Sequence, residues 1–387
     1  MLLSHAQIIE KIKSDTKVNF VAFVRTPWHA LGCNASLLKL KEQGEKLNGL
    51  VVLSEDSYDR ENPLLSADNF NVLADNEIGF ELLYFNGNAF SSSTADNIKI
   101  KLQSMSYLAN HKKGARRIYV LNPMHINDIF VTRLKKIVPD SDIVNIVIDE
   151  GLGVYMRSGF NWAVEQYHNT NSIKEFLRMI FDLQKKRLYV KKSIKRKEYI
   201  NNNILLENGD AFDENKNITS YYRRAIDCDK VSGGKYSKYS DSVVISAQLY
   251  FEDNQIKNNA DLELYKKIIS ALSEKNIGVV FKPHPRDKDL SRYDCLDCFV
   301  DADNTVSQES ILASLDVKPR AVLSFTSTSL VTSPLFYGVK TASLNSLLPK
   351  ENVQLTLLNE FSNFKKAFEN VVYIPDTSEQ LLHYINE

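Results

Sequence analysis

The sequence predicts an α/β protein with two Rossmann-like halves facing each other across a cleft, and three observations carry that prediction. Short apolar runs rich in Val, Ile and Phe alternate with longer runs of helical spacing. The alternation occurs twice, once within 1–155 and again within 241–387. The polar residues best suited to chemistry follow the apolar runs directly, where open parallel sheets bind their ligands.

In the first half the strand-like runs are 19–24 (NFVAFV), 49–53 (GLVVL), 80–85 (FELLYF), 117–121 (RIYVL) and 143–148 (IVNIVI). Segments 30–43 and 126–138 separate some of them with apolar spacings near 3.6, the period of a helix with one buried face. The second half repeats the arrangement with 243–250 (VVISAQLY), 277–281 (IGVVF), 298–300, 321–327 (AVLSFTS), 340–344 and 371–374. Helices are expected over 261–275 and 379–385. Between the halves, 156–240 lacks clear strands and reads as a helical basic segment, with a polar linker at 230–241 (KVSGGKYSKYSD).

At 387 residues the chain is long for one domain, and 43% hydrophobic with 25% charged residues is ordinary for a protein that buries full cores. Its formal net charge of zero creates no global field toward nucleic acid, which is not expected as a partner. The four cysteines are too few and scattered for a disulfide framework, so a reducing compartment is expected. Cys295-Leu-Asp-Cys298 has C-x-x-C spacing, but no second such pair or histidine pair accompanies it, and idle or buried thiols are the reading. The N-terminus turns polar too early for a signal peptide, and no apolar run approaches the roughly 20 residues of a spanning helix. A cytoplasmic protein, at most peripheral on the inner face of the membrane, is the expectation.

Three motifs stand at strand ends. Asp149-Glu150-Gly151 follows 143–148, and a carboxylate there, with a glycine that lets the chain turn, is placed to take a proton from an incoming hydroxyl. Alone, an acidic turn explains it as well. Lys282-Pro283-His284-Pro285 follows 277–281, and its two prolines restrict the backbone around His284 and keep it out of helical geometry. A structural turn needs no histidine there. Lys282 and Arg286 add positive potential suited to a nucleotide phosphate. Ser324-Phe325-Thr326-Ser327-Thr328-Ser329 links a strand to a helix-like run, where hydroxyls and N–H groups make an anion site; simple N-capping by Ser or Thr is the plain alternative.

Further candidates are His29, after the first strand, and Asn122, His125 and Asn127, after the fourth, as contacts for acceptor or donor sugar, with a hydrogen-bonded structural role the equal alternative for each histidine. Glu309 is placed to hold ribose hydroxyls, with an exposed first-turn glutamate as the plain reading. Gln248 and Asp253 are read as ending the strand 243–250, with Asp253 the reserve base. Asp301-Ala302-Asp303 has the D-x-D spacing of metal-dependent transferases but reads as an exposed acidic turn.

Together, D-E-G at 149–151, H-P at 284–285 and the hydroxyl cluster at 326–329 resemble the three short motifs of bacterial sialyltransferases with the GT-B fold, both the lipooligosaccharide and the capsular polysialyltransferase types. The resemblance covers about 150–330, and the four hydroxyl residues in a row leave the register of the third motif open. It implies inverting transfer of sialic acid from CMP-sialic acid to a sugar hydroxyl of a surface glycan, without a metal or other cofactor. By the same resemblance Asp149, beside Glu150 and Gly151, is the acceptor base. His284, with Lys282 and Pro285, meets the CMP phosphate, and Thr326, Ser327, Thr328 and Ser329 supply phosphate-contacting hydroxyls. The domains are then an acceptor-side domain at 1–155, the basic segment at 156–240 and a CMP-binding domain at 241–387. The expected partners are the nucleotide sugar and a glycan, and a homodimer is compatible with the sequence.

Rivals are a capsular Kdo transferase or another GT-B enzyme with a cytidine donor, and a non-catalytic polysaccharide-binding protein. The last has no need of a base opposite a phosphate site. Segment 172–200 carries ten basic and three acidic residues with apolar residues interleaved. It is either a solvated helix packing its apolar stripe or a contact for an anionic membrane surface. Flotation with anionic liposomes separates the two: membrane contact requires binding that weakens when Lys185, Lys186 and Arg187 are neutralised, and packing gives no such change.

Overall fold

The computed structural model describes residues 3–54, 65–85, 116–123, 128–138, 141–148, 199–202, 216–228, 233–285, 287, 289–303 and 305–387. Among these residues the chain divides into two units, the first ending at 228 and the second beginning at 233.

The first unit is a parallel sheet of β1 (Phe20–Val24), β2 (Asn48–Ser54), β3 (Gly79–Phe85), β4 (Arg116–Pro123), β5 (Ser141–Ile148) and β6 (Tyr199–Asn202). The strand order is β3-β2-β1-β4-β5-β6, the doubly wound order with its reversal between β1 and β4. Every residue of β1 is buried, the continuous burial of a strand covered on both faces.

One face packs against α1 (His5–Ser14), through Ile8, Ile9 and Ile12, and another helix later in the chain contributes Phe130, Val131 and Leu134. On α1, Ser4 and Gln7 form a reciprocal capping box. The later helices of the unit are α2 (Pro27–Glu42), α3 (Asn71–Asp75), α4 (Asp128–Ile137), which carries Phe130, and α5 (Lys216–Asp227). Thr26 caps α2 and Pro27 opens it.

Helix α2 is buried around most of its circumference because it lies against β1 and β5 on one side and α5 on the other. Gly32 makes the fit: a Cβ there would stand 2.6 Å from the Tyr222 hydroxyl of α5 and 3.4 Å from Cβ of Ile148. Ile148 is the last residue of β5, so this contact sets the strand end that precedes Asp149.

The second unit contains β7 (Val243–Ser246), β8 (Val279–Lys282), β9 (Phe299–Val300), β10 (Ala321–Ser324) and β11 (Lys340–Ser343), all parallel, in the order β11-β10-β7-β8-β9. This is the first unit's order shortened by one strand, and a single parallel bridge from Ala342 to Tyr373 marks the sixth position. Its helices are α6 (Ala260–Ser273), α7 (Gln308–Ser314), α8 (Ser329–Tyr337), α9 (Leu355–Phe368) and α10 (Ser378–Asn386). Val243, Ile245, Phe281 and Leu323 share one core with residues of α6, α9 and α10, whereas α7 and α8 pack on each other and α8 contacts β10 and β11. The α/β class with two parallel Rossmann-like sheets is what the sequence predicts.

Three expectations need correction. Segment 156–240 is not a separate strandless body: β6 lies within it and pairs with β5, α5 packs on α2, and both belong to the first unit. The strand expected at 243–250 stops at Ser246, and the strand at 321–327 stops at Ser324, because each chain then leaves the sheet in turns that carry polar groups. The expected strand at 371–374 is reduced to the one bridge at Tyr373. The basic run 172–198 lies outside the described residues.

Among the described residues of the first unit, two histidines are buried. His5 stacks on Phe85 at 4.6 Å and meets Phe23 and Phe130 edge-on. Burial, helped by Arg133, lowers its pKa to about 4. Burial, helped by Arg25, lowers that of His29 to about 3. In both cases the unfolded chain takes up the proton first as pH falls, so their contribution to stability is complete above about pH 6.5 and is lost progressively below it. By pH 5 the loss should be about 2 kcal/mol for each histidine. Thermal unfolding followed from pH 7.5 to 5 should show a falling midpoint, and His5→Phe should flatten that dependence.

Candidate active site

The C-terminal edge of the second sheet brings the H-P motif and the hydroxyl cluster to the same side. In register, Ser246 of β7 pairs with Lys282 of β8, and Ser324 of β10 donates its hydroxyl to the Ser246 carbonyl at 2.6 Å. The two motifs therefore leave the sheet two strands apart, about 10 Å at ordinary strand spacing. They flank β7, at the point where the strand order reverses and doubly wound sheets bind ligands.

His284 follows β8 and is only partly buried. Its carbonyl accepts the Asp287 N–H at 2.8 Å, which closes a β-turn with Pro285 at the second position, where its fixed φ is favourable. Asp287 is buried, its carboxylate accepting the Tyr293 hydroxyl at 2.7 Å and the Asp289 N–H at 3.3 Å. Asp287 stands two residues after the His-Pro pair, and no sequence signal marks it as buried. Arg286 lies outside the described residues.

Lys282 does not face a phosphate, as the sequence suggested. It is buried, with Nζ donating to the Asp303 carbonyl at 2.9 Å and standing 3.6 Å from the Asp301 carboxylate. Desolvation lowers its pKa, and Asp301, Asp303 and Glu309 counter that shift. Asp301-Ala302-Asp303 is correspondingly not an exposed acidic turn. Asp301 is buried and also accepts the Tyr239 hydroxyl at 2.5 Å. Asp303 accepts from Lys235 at 2.5 Å and from the Tyr236 hydroxyl at 2.7 Å. Burial works against the charge of Asp303, but the bonds from Lys235, Thr305 and Tyr236 outweigh it and hold the carboxyl well below the usual range. Both carboxylates are thus engaged by protein cations and phenols.

The hydroxyl run resolves into separate tasks. Ser324 is tied to β7, and Thr326 is buried against the Tyr250 hydroxyl. Ser329 is buried and donates both its N–H (3.3 Å) and its O–H (2.8 Å) to Ser327 Oγ. Ser327 and Thr328 stay partly exposed just before α8. Capping and presentation coexist here: Ser327 accepts twice from Ser329 and keeps its own proton to donate.

Glu309 is buried rather than exposed, accepting the Thr332 hydroxyl of α8 at 2.5 Å. Burial raises its pKa despite that bond and the field of Lys282. Beside it Gln308 accepts the Ser246 hydroxyl at 2.6 Å, a contact no sequence signal announced. Asp253, the reserve base, is an exposed residue of the turn after β7 and does not end that strand.

In the first unit, His29 is no cleft residue. It is buried at the start of α2, its Nδ1 accepting the Arg25 N–H at 3.3 Å and its own N–H bonded to Thr26 Oγ1. Asn122 is wholly buried on β4. Asp149, Glu150, Gly151, His125 and Asn127 lie outside the described residues, although β5 runs to Ile148 immediately before the D-E-G motif.

With this edge defined, comparison with known proteins decides the family. The family model described as alpha-2,8-polysialyltransferase matches residues 20–346, most of both units. The chain belongs to the alpha-2,8-polysialyltransferase family. It is a glycosyltransferase and, within that class, a sialyltransferase. Two solved structures are similar to this polysialyltransferase-family chain. One is described as a UDP-N-acetylglucosamine 2-epimerase from Listeria monocytogenes, with 10% identity over 95% of this chain and 94% of that one and a TM-score of 0.42. The other is an S. aureus MnaA–UDP co-structure, with 13% identity over 95% and 96% and a TM-score of 0.40. No curated protein matches the chain.

Within this sialyltransferase, removing one partner of the buried Lys282–Asp301 pair leaves an uncompensated charge, which costs about 3–5 kcal/mol. Lys282→Met should lower stability to urea by that order. Lys282→Met combined with Asp301→Asn should lose much less than the sum of the two single variants.

Proposed function

We propose that the enzyme transfers sialic acid from CMP-sialic acid to a sugar hydroxyl of a bacterial surface glycan, with inversion and without a metal ion. The observation that carries this reading is the edge of the second sheet, where a partly exposed imidazole on a proline-fixed turn and two partly exposed hydroxyls flank the switch-point strand. Imidazolium and hydroxyl donors suit a phosphate monoester, and a helix N-terminus beside the hydroxyls adds a favourable dipole.

In the reaction, the acceptor oxygen forms a bond to the anomeric carbon as the bond from that carbon to the phosphate oxygen breaks. The acceptor proton passes to Asp149, the pair of electrons leaves with CMP, and His284 with Ser327 and Thr328 offsets the charge gathering on the departing phosphate. One displacement of this kind inverts the anomeric centre. The family description supports a terminal sialic acid, through its 8-hydroxyl, as the acceptor.

Asp149→Ala should lower kcat by about 10²–10⁴ with little change in donor KM, as loss of a general base does. His284→Ala should impair both, read as CMP release from CMP-sialic acid, and EDTA should leave the wild-type rate unchanged. A screen with CMP-Kdo and UDP-sugars beside CMP-sialic acid checks the donor; turnover of CMP-Kdo alone would sink the sialic acid assignment.

A further inference from the structure

The H-P turn and the hydroxyl run follow different strands, yet side-chain bonds and two short stretches of chain between them join the two. The His284 turn is closed by Asp287, and Asp287 accepts the Tyr293 hydroxyl at 2.7 Å. Tyr293 is buried with its ring 4.7 Å from Phe281, in the very strand that carries His284. Burial and the bond to Asp287 both raise its pKa, so the phenol remains a donor. Next to it, Arg292 donates to Asp261 of α6 at 2.6 Å and to Glu252 at 3.0 Å, with its guanidinium 4.2 Å from the Phe251 ring centre. Asp261 is buried, so this arginine is anchored where the dielectric is low. Two residues before Glu252, Tyr250 meets Thr326 of the hydroxyl run.

We propose that Asp287 and Tyr293 are positioning residues for sialyl transfer, holding the His284 turn in register with Ser327 and Thr328 through the bridge Arg292–Glu252–Tyr250–Thr326. This rests on the reading of His284 as the partner of the leaving phosphate. Neither Asp287 nor Tyr293 needs to touch substrate. Their task is to fix the backbone from which the imidazole projects, because a displacement of about 1 Å at a reacting group costs up to 10²-fold in rate. The prolines restrict the turn's own dihedrals, but they do not tie the turn to the rest of the domain. The Asp287–Tyr293 bond does that, at a site too buried for water to replace it cheaply.

The test is a double-mutant cycle on the full chain with CMP-sialic acid as probe, using Tyr293→Phe, which removes the hydroxyl and keeps the ring against Phe281. The expected result is a fall in kcat of about 10- to 100-fold with donor KM changed by less than about threefold. In the His284→Ala background the same substitution should cost less than about twofold, since there is no imidazole left to misplace. Asp287→Asn, which retains an acceptor, should rescue most of the activity lost in Asp287→Ala, and this pair supplies the readout should Tyr293→Phe unfold. Normal kcat in Tyr293→Phe beside an impaired His284→Ala overturns the positioning role alone, as does an equal loss in both backgrounds. Undiminished turnover in His284→Ala overturns the reading of His284, and the positioning role with it.

Discussion

A lysine ammonium buried under the edge of a β-sheet has to find its counter-charge inside the protein, and Lys282 finds it in Asp301 and the Asp303 carbonyl. That requirement organises much around it. Asp301 and Asp303 follow β9, so satisfying Lys282 pins the end of β9 to the end of β8. The same carboxylates draw in Tyr239, Tyr236 and Lys235 from the segment that opens the second unit. Lys282 immediately precedes Pro283 and His284, so the residue before the H-P turn cannot drift without stranding a buried charge. The motif's lysine serves the histidine through the fold, by anchoring the strand end from which the turn departs.

The same logic separates polar groups that are buried from those that stay partly exposed. Along the hydroxyl run, Ser324, Thr326 and Ser329 spend their hydroxyls on β7, Tyr250 and Ser327. Ser327 and Thr328 alone in that run keep partial exposure. Five residues of the run carry a hydroxyl, and two of the five are partly exposed. In the first unit His29 shows the opposite outcome: its imidazole, buried and neutral, completes the turn into α2.

Much of the architecture was legible because parallel strands buried on both faces leave continuous apolar runs, and 19–24 and 143–148 fall almost where β1 and β5 lie. The failures have physical causes. Strand β6, Tyr-Ile-Asn-Asn, has little apolar character because it is an edge strand with one neighbour, and a pattern rule cannot see a strand recruited by its partner. The run VVISAQLY overextends because Ala247, Leu249 and Tyr250 lie beyond the sheet, and Tyr250 packs on Phe325 and Phe361. At the site, the H-P and Ser/Thr motifs were visible as residue types at strand ends. What a sequence does not disclose is burial, and burial is what turned Lys282 inward and made Asp301 its partner.

Polar residues at the sheet edge are thus of two kinds, and the two depend on each other. Exposed donors can be held at fixed positions only if the residues behind them are fully bonded, since a loosely held donor loses in entropy what it gains in contact. In the second unit Lys282, Asp301, Asp303, Asp287, Tyr293, Glu309 and Gln308 are buried or nearly so, whereas His284, Ser327 and Thr328 are partly exposed. The His284 turn has a proline at its second position and a buried aspartate at its fourth, and the same sheet edge carries the buried charges Lys282, Asp287, Asp301 and Glu309.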